Sequence, residues 1–370
     1  MIERLKGFAA PDAPVSVIKW PLPTSEGDDG ATSAQPVAFK SLRAFVSEYV
    51  PLSYVIEPII RDGSLYTLTA RTGAGKTALL VVMALAVATG RRDLLSLDVV
   101  KGRVAFLTAE NPDDLRMRFM IACYLLNIDD EVLDRIEILD RREKPEDICA
   151  ALAKLADQEP FSQVILDTLA AFYDGVNVND PIEGGEFLRR LRPITRIKGR
   201  PAVVVAAHPV KNASADNLLP YGSGAILNEV DGNLTLWKSP ETGFVSFYWQ
   251  GKLRGLEFEP LLFRFEITGS PDVLDVKERQ VQLPTLLPIK EQDAEQRESA
   301  EANADRALLR AMIDAPSGTQ QEWAKAIRRA KSGVNRKLQK LSKAKLVSET
   351  LGKWSVTQQG RKALELGGTK

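Results

Sequence analysis

The chain has 370 residues, 44% of them hydrophobic and 26% charged, so it is long enough for one large α/β core and a smaller module. Its 49 basic and 49 acidic side chains give a formal net charge of zero, but this total conceals a basic C-terminal segment. The two cysteines, Cys123 and Cys149, lie in apolar helical sequence, which argues against a disulfide framework or a cysteine metal site. Because the sequence shows neither a signal peptide nor an apolar run of about 18 residues, we expect a cytoplasmic protein that does not bind a membrane.

The start of the chain differs in composition from the remainder. Residues 1–37 carry five prolines and no sustained hydrophobic period, which predicts a mostly disordered segment. Residues 38–61 indicate a short amphipathic helix followed by an approach to the first strand of the core. We therefore place the start of the first folded domain at residue 38.

From residue 64 onward, strand-like and helix-like patterns alternate. Strands are predicted over residues 64–69, 103–108, 135–139, 163–167, 202–207, 233–238, 244–250 and 261–267. Helices are predicted over residues 76–89, 112–126, 145–157 and 183–198. The early strands are continuous apolar runs, which suits a parallel sheet buried on both faces, whereas the closely spaced later ones favour antiparallel hairpins at the sheet edge. The prediction is an α/β domain over residues 38–268, with a mainly parallel sheet and helices on both faces.

A second, smaller domain is predicted at the C-terminal end. Residues 269–303 are read as a linker, because they contain three prolines and residues 271–304 hold eight acidic against four basic side chains. Residues 304–370 hold fifteen basic against five acidic side chains. Their pattern predicts helices over 304–314, 319–329 and 333–344, then a hairpin that turns at Leu351-Gly352, then a final helix. This order is the plan of a small α+β winged helix-turn-helix domain.

Residues 70–77 read Ala-Arg-Thr-Gly-Ala-Gly-Lys-Thr and lie between a strand-like run and a long apolar helix. This is the context of a phosphate-binding loop, in which glycines let successive N–H groups face a phosphate and the helix start adds its positive dipole end. Lys76 would reach the β- and γ-phosphates, and the Thr77 hydroxyl would hold Mg²⁺. Ala70 stands where the consensus has its first glycine. We assign ATP binding to residues Arg71, Thr72, Gly73, Ala74, Gly75, Lys76, Thr77 and Ala78.

Two carboxylates follow apolar strands at the sheet edge expected to carry this loop. Glu110 follows the strand 103–108, and there it can orient and deprotonate the water that attacks the γ-phosphate; the alternative is a solvated glutamate that starts a loop. Asp167 ends the strand 163–167, and there it can bind Mg²⁺ opposite Thr77. An aspartate after an apolar run is a weak motif alone, but downstream of a phosphate loop it is a strong one.

Three further residues are candidates for catalysis. His208, the only histidine, follows the strand 202–207 and either senses the γ-phosphate or is structural. Lys252 and Arg254 are two residues apart on an extended segment, so they share a face and could reach the γ-phosphate bound by a neighbouring subunit. The alternative for this pair is ordinary surface charge on a hairpin.

Together these motifs resemble the RecA-like ATPases of the plasmid replicative helicase type, which are hexameric and are encoded by plasmids, phages and genomic islands. The resemblance spans roughly residues 50–268. It rests on the phosphate loop with its preceding strand, the run from Arg103 through Glu110 to Arg118, Leu166-Asp-Thr-Leu169, and His208 through Gly222-Ser223. It implies Lys76 and Thr77 for nucleotide and Mg²⁺, Glu110 as catalytic base, Asp167 for Mg²⁺ and His208 as a DNA-coupled sensor.

The resemblance also implies partners, and two departures bear on them. Besides Ala70, the chain has Tyr221 where many relatives carry arginine, so Lys252 and Arg254 would have to supply any finger in trans. The first hypothesis is a hexameric motor that translocates on single-stranded DNA. The second is an ATP-controlled switch, a DNA-binding regulator or helicase loader without unwinding activity. A small-molecule kinase is a third, weaker hypothesis, because no arginine-rich lid is evident.

The predicted winged helix gives a second contact with DNA or protein. On its third helix, cations at Arg336, Lys340 and Lys343 share one face and would suit the phosphates and base edges of duplex DNA. The alternative is a module that docks replication proteins.

Overall fold

The computed structural model describes residues 39–175, 181–240, 242–289, 291–327, 331–350 and 353–366. The predicted disordered segment 1–37 and the predicted turn at Leu351-Gly352 lie outside these residues. The chain divides into two units, residues 1–53 and residues 54–370. The described part of the first unit contains one short helix, α1 (Leu42–Ser47), which begins where the Ser41 side chain accepts a hydrogen bond from the Ala44 N–H at 3.2 Å.

The second unit contains the other elements. Its strands are β1 (Tyr54–Glu57), β2 (Ile60–Arg61), β3 (Leu65–Ala70), β4 (Asp98–Val99), β5 (Arg103–Thr108), β6 (Ile136–Leu139), β7 (Phe161–Asp167), β8 (Ala202–Ala207), β9 (Gly232–Lys238), β10 (Val245–Leu253), β11 (Leu261–Thr268), β12 (Leu283–Pro288), β13 (Val347–Thr350) and β14 (Lys353–Val356). Its helices are α2 (Lys76–Thr89), α3 (Pro112–Leu126), α4 (Pro145–Gln158), α5 (Leu169–Phe172), α6 (Pro181–Leu191), α7 (Ser223–Glu229), α8 (Glu291–Asp314), α9 (Gln320–Ala326), α10 (Lys331–Lys343) and α11 (Gln358–Leu366). Short 3₁₀ helices cover Arg92–Leu94, Asp130–Arg135 and Arg192–Arg196.

A nine-stranded sheet forms the centre of this unit, in the order β12-β11-β10-β9-β3-β8-β7-β5-β6. From β9 to β6 all neighbouring strands are parallel, and β10, β11 and β12 continue the sheet in antiparallel pairs. Strand β8 lies between β3, which leads into the phosphate loop, and β7, which ends at Asp167. The predicted α/β class with a mainly parallel sheet and late antiparallel hairpins is confirmed.

Both faces of this sheet are covered, which explains the continuous apolar runs. In β5, Val104 and Phe106 belong to one buried cluster together with residues of α2 and α3, whereas Ala105 and Leu107 belong to another with residues of α4 and α6. Successive side chains of a strand point to opposite faces, so a strand covered on both sides has no polar face. Among the described residues, no helix is long and apolar enough to span a membrane.

The structure corrects the linker predicted over residues 269–303. Residues 283–288 form β12, which pairs along its length with β11, from Phe263 opposite Pro288 to Thr268 opposite Leu283. Helix α8 then begins at Glu291, so residues of the predicted linker are helical as well. The predicted helix 183–198 ends earlier than expected, at Leu191, and a 3₁₀ helix follows. This 3₁₀ helix contains Pro193, which has no N–H group to donate a hydrogen bond to the preceding turn.

The C-terminal elements follow in the predicted order of helices, hairpin and final helix, here α8, α9, α10, β13, β14 and α11. They share a separate cluster of buried side chains: Leu308, Leu309, Met312, Trp323, Ala324, Val334, Leu338, Leu341, Val347 and Trp354. Helix α9 begins with a capping box, in which Thr319 and Glu322 each accept a hydrogen bond from the other's backbone N–H.

Candidate nucleotide-binding and hydrolysis site

The phosphate loop connects β3 to α2 at the carboxyl edge of the parallel strands. Gly73 and Gly75 have φ angles of 77° and 99°, in the left-handed region that disfavours any side chain. A Cβ on Gly75 would lie 2.9 Å from atoms of Phe265 and Leu286. The backbone conformation at position 75 therefore favours glycine, and a larger residue would also displace the side chains of Phe265 and Leu286.

Lys76 is buried at the first position of α2, and its Nζ donates a hydrogen bond to the carbonyl oxygen of Ala70 at 2.7 Å. Ala70 itself is fully buried, so the methyl group that replaces the consensus glycine is accommodated in the core. Burial lowers the pKa of Lys76, while the charges of Asp167 and Glu110 act in the opposite direction. A triphosphate beside this amine would favour its charged form.

Thr77 and Asp167 form the pair that the sequence predicted for Mg²⁺. The Thr77 hydroxyl donates to Oδ2 of Asp167 at 2.7 Å, and the Asp167 side chain is buried. The other carboxylate oxygen, Oδ1, is buried and has no hydrogen-bond partner within the described structure. Burial raises the pKa of Asp167, and the hydrogen bond from Thr77 opposes this effect. A hydroxyl beside a carboxylate with an unused oxygen is a donor set that fits Mg²⁺.

Glu110 and His208 lie at the same edge. The Thr168 hydroxyl, one residue beyond β7, donates to Oε1 of Glu110 at 2.7 Å and so fixes one oxygen of this exposed carboxylate. Strands β5 and β7 are in register with Thr108 opposite Asp167, which explains why their following residues meet. The packing around His208, together with the positive charge of Lys76, lowers the pKa of its imidazole.

Lys76, Thr77, Glu110 and His208 line a single cavity of about 350 Å³, whereas the buried Asp167 and Ala74 are not among its lining residues. The cavity contains Arg71, Thr72, Gly73, Gly75, Lys76, Thr77, Ala78, Glu110 and His208 from the prediction, and additionally Arg118, Thr168, Lys238, Phe265, Ile267 and Pro284. The additional residues include a wall from β9, β11 and β12, where Lys238 Nζ lies 4.4 Å from the ring centroid of Phe265. An apolar wall opposite a phosphate loop suits the base and ribose of a nucleotide. Sequence reasoning missed this wall because nothing local pairs residues 261–268 with 283–288.

Arg118 also lines the cavity, and the sequence analysis assigned it no role. Its Nε donates to Oδ2 of Asp114, four residues earlier on α3, at 2.6 Å. The one indication of Arg118 in the sequence was its position at the end of the run from Arg103 through Glu110. The bond to Asp114 holds the guanidinium on the side of the helix that faces the cavity.

The structure does not bring Lys252 and Arg254 to the phosphate loop of their own chain. Leu253 pairs with Gly232 at the amino end of β9, which is the edge opposite the loop. Lys252 Nζ donates to the carbonyl oxygens of Leu227 and Asn228 at 2.8 and 2.9 Å, which are at the C-terminal end of α7. Burial and the nearby Arg254 lower the pKa of Lys252.

A sheet of this strand order with a phosphate loop, a Thr–Asp pair and a glutamate at one edge defines a RecA-like P-loop ATPase core. In agreement, residues 33–214 match the model of a family described as AAA domain, a P-loop ATPase family, which supports a nucleotide-hydrolysing ATPase. The match includes every predicted site residue except Lys252 and Arg254. No curated protein matches the chain.

Proposed function

We propose that the protein is an ATP-hydrolysing, DNA-dependent motor that assembles into a hexameric ring and acts as the replicative helicase of a mobile genetic element. The observation that carries this proposal is the position of Arg254. Its guanidinium lies at the sheet edge opposite its own phosphate loop, and its side chain is 64% exposed. An arginine so placed can serve a nucleotide only across an interface, as in enzymes whose finger acts in trans.

The site supplies the other groups that hydrolysis needs. Lys76 and the N–H groups of the loop hold the phosphates, and Glu110 orients and deprotonates the attacking water. Thr77 and Asp167 would hold Mg²⁺, which neutralises charge on the β- and γ-phosphates. His208 lines the same cavity and is followed by an exposed Lys211, so it can relay the state of the γ-phosphate to a DNA-binding loop.

Of the two proposed fingers, Arg254 has the stronger support. Lys252 Nζ is already engaged by two helix carbonyls, and this contact stabilises the end of α7. Lys252 therefore has a structural role that accounts for its position. A catalytic role would require its Nζ to leave the two carbonyl oxygens of α7.

The proposal is tested by the ATPase activity of the full chain with and without single-stranded DNA. We expect a several-fold rise in kcat with DNA, and six-fold rings in negative-stain images with an ATP analogue. Double-stranded DNA of equal nucleotide concentration is the control. An ATPase that ignores single-stranded DNA and forms no ring would contradict the motor.

One observation favours the second candidate, an ATP-controlled switch or helicase loader. Tyr221 occupies the position where the resemblance implies arginine, and its backbone N–H donates to the carbonyl oxygen of His208 at 2.8 Å. The Tyr221 backbone thus holds the segment after His208 to the end of β8, and the side chain at position 221 carries no positive charge. ATP-dependent assembly without DNA-stimulated turnover would support this candidate.

For the C-terminal elements we propose a winged helix that tethers the protein to duplex DNA, with replication proteins as the alternative partner. The basic side chains of α10 differ in how available they are to bind DNA. Lys337 is largely buried and donates to Oδ1 of Asp305 at 2.5 Å, so its charge is neutralised within the fold. Lys340 lies on the exposed side but contacts the same carboxylate at 3.5 Å, and Lys343 is exposed. The side chain of Arg336 lies outside the described part.

Replacing Lys340 and Lys343 with alanine in the full chain is expected to weaken duplex DNA binding and leave basal ATP hydrolysis unchanged. Removing one cation that neutralises a phosphate should reduce the slope of log K against log salt by about 0.9. Fluorescence anisotropy at several salt concentrations measures this slope. The matched control is the double substitution of the exposed Lys101 and Lys154 of the ATPase core with alanine. Equal slopes for both variants would favour the protein-docking alternative.

A further inference from the structure

The carboxylate of Asp231 holds the side chain of Arg254 against the fold. Its Oδ1 accepts a hydrogen bond from Arg254 Nη1 at 3.1 Å, and its backbone oxygen accepts the Arg254 N–H at 2.6 Å. Its Oδ2 accepts the Leu65 N–H at 2.9 Å and also a bond from Nη1 of Arg192. The Asp231 side chain is only 10% exposed, in contrast to the guanidinium that it holds.

We infer that Asp231 is the positioning residue of Arg254 and aims the guanidinium at the nucleotide site of a neighbouring subunit. The inference rests on the proposed trans role of Arg254. Nη1 of the guanidinium is tethered to Asp231, while within the described residues Nε and Nη2 donate no hydrogen bond and can bind phosphate. Holding a long side chain in place before binding reduces the entropy lost when it engages its target.

The same carboxylate ties Arg254 to the start of the strand that carries the phosphate loop. Leu65 is the first residue of β3, and both its N–H and its carbonyl oxygen bond to Asp231, the latter through the Asp231 N–H at 2.7 Å. Arg61 adds a further link, since its Nη1 donates to the Arg254 carbonyl oxygen at 3.1 Å. Arg254 therefore moves together with its own ATPase core. The guanidinium would therefore reach a neighbour's γ-phosphate through a rigid rotation of the whole subunit and not through the movement of a loop.

The test is Asp231→Asn in the full-length assembled enzyme. An asparagine oxygen at the position of Oδ2 keeps the bonds to Leu65 and Arg192, but its NH₂ group then faces the donor of Arg254. We expect kcat to fall by about 10- to 100-fold, part of the roughly 10³-fold or more that a trans arginine contributes, with KM for ATP unchanged. Asp93→Asn, which removes the carboxylate of an exposed pair with Arg91, is the control and should keep wild-type kcat. An Asp231→Asn enzyme with wild-type kcat would overturn the inference.

A positioning role is separated from a merely structural one by the double variant. If Asp231 acts through Arg254, Asp231→Asn adds nothing to the loss caused by Arg254→Ala, and the two effects are non-additive. A further slowing in the double variant would show an independent role and reject the inference. Should Asp231→Asn fail to fold, Asp231→Glu retains the charge and displaces the anchor by one methylene. A folded Asp231→Glu enzyme with undiminished kcat would equally reject it.

The trans role is tested separately by mixing subunits. Arg254→Ala subunits mixed with Lys76→Ala subunits should regain activity, because some interfaces then combine an intact phosphate loop with an intact finger. Arg254→Ala with wild-type turnover, or the absence of rescue at every ratio, contradicts the trans role itself. Slow Arg254→Ala and normal Asp231→Asn together contradict only the role of Asp231.

Discussion

Replacing Lys76 with alanine is expected to abolish ATP binding. The Lys76 ammonium group is buried at the start of α2, 2.7 Å from the Ala70 carbonyl oxygen. Among the described residues of the loop, the other cation is the exposed Arg71. Removal of the Lys76 ammonium takes away the charge that neutralises the β- and γ-phosphates. Burial lowers the pKa of Lys76, and phosphates beside it would favour its charged form, as the carboxylates of Asp167 and Glu110 do.

Titration with a fluorescent ATP analogue measures the loss directly, and we expect the affinity to fall below the detectable range. Lys101→Ala removes an exposed lysine elsewhere on the same unit and is the matched control. Thermal unfolding without nucleotide establishes that the variant is folded. Affinity equal to that of the wild type in a folded Lys76→Ala protein would reject the phosphate-loop assignment.

The features that the sequence predicted well are local ones. Predicted strands 103–108 and 202–207 coincide with β5 and β8, and predicted helices 76–89 and 112–126 coincide with α2 and α3. In each case the hydrophobic period lies within the element, and the glycine turn or capping residue directly precedes it. The meeting of Thr77, Glu110 and Asp167 also followed from the sequence, because parallel strands deliver their carboxyl ends to one edge.

Prolines caused the main error in the fold. Pro284 and Pro288 indicated a linker, because proline cannot donate a hydrogen bond within a sheet. They lie in β12, which is the edge strand, and there only one side of the strand has a partner. Proline is tolerated at such an edge, and Pro284 lines the predicted nucleotide cavity.

The role of Asp231 depends on contacts that no local pattern reveals. Its partners Leu65, Arg192 and Arg254 lie 166, 39 and 23 residues away along the chain. A single acidic residue before a strand is ordinary in sequence. Its role becomes visible only in the fold, because the sheet places β9 between β3 and β10 and so brings the Asp231 carboxylate to both Leu65 and Arg254.

Replacing Glu110 with glutamine is expected to leave ATP bound while hydrolysis falls by about 10²-fold or more, the scale on which a general base contributes. Glutamine is nearly isosteric, and its carbonyl oxygen can still accept the Thr168 hydroxyl bond that Oε1 of Glu110 accepts at 2.7 Å. The geometry of the side chain is therefore retained, and only its basicity is lost.

Single-turnover hydrolysis and nucleotide affinity, measured on the same preparation, separate chemistry from binding. Glu143→Gln, a substitution of a partly exposed glutamate paired with Arg141, is the control and should keep wild-type turnover. If Glu110→Gln hydrolyses ATP at the wild-type rate, the base is another carboxylate. Asp167 would then be the first to test, because its Oδ1 is buried at the same edge without a partner among the described residues. A slow enzyme that binds ATP normally would instead assign the activation of water to Glu110, and would leave Asp167 with the metal.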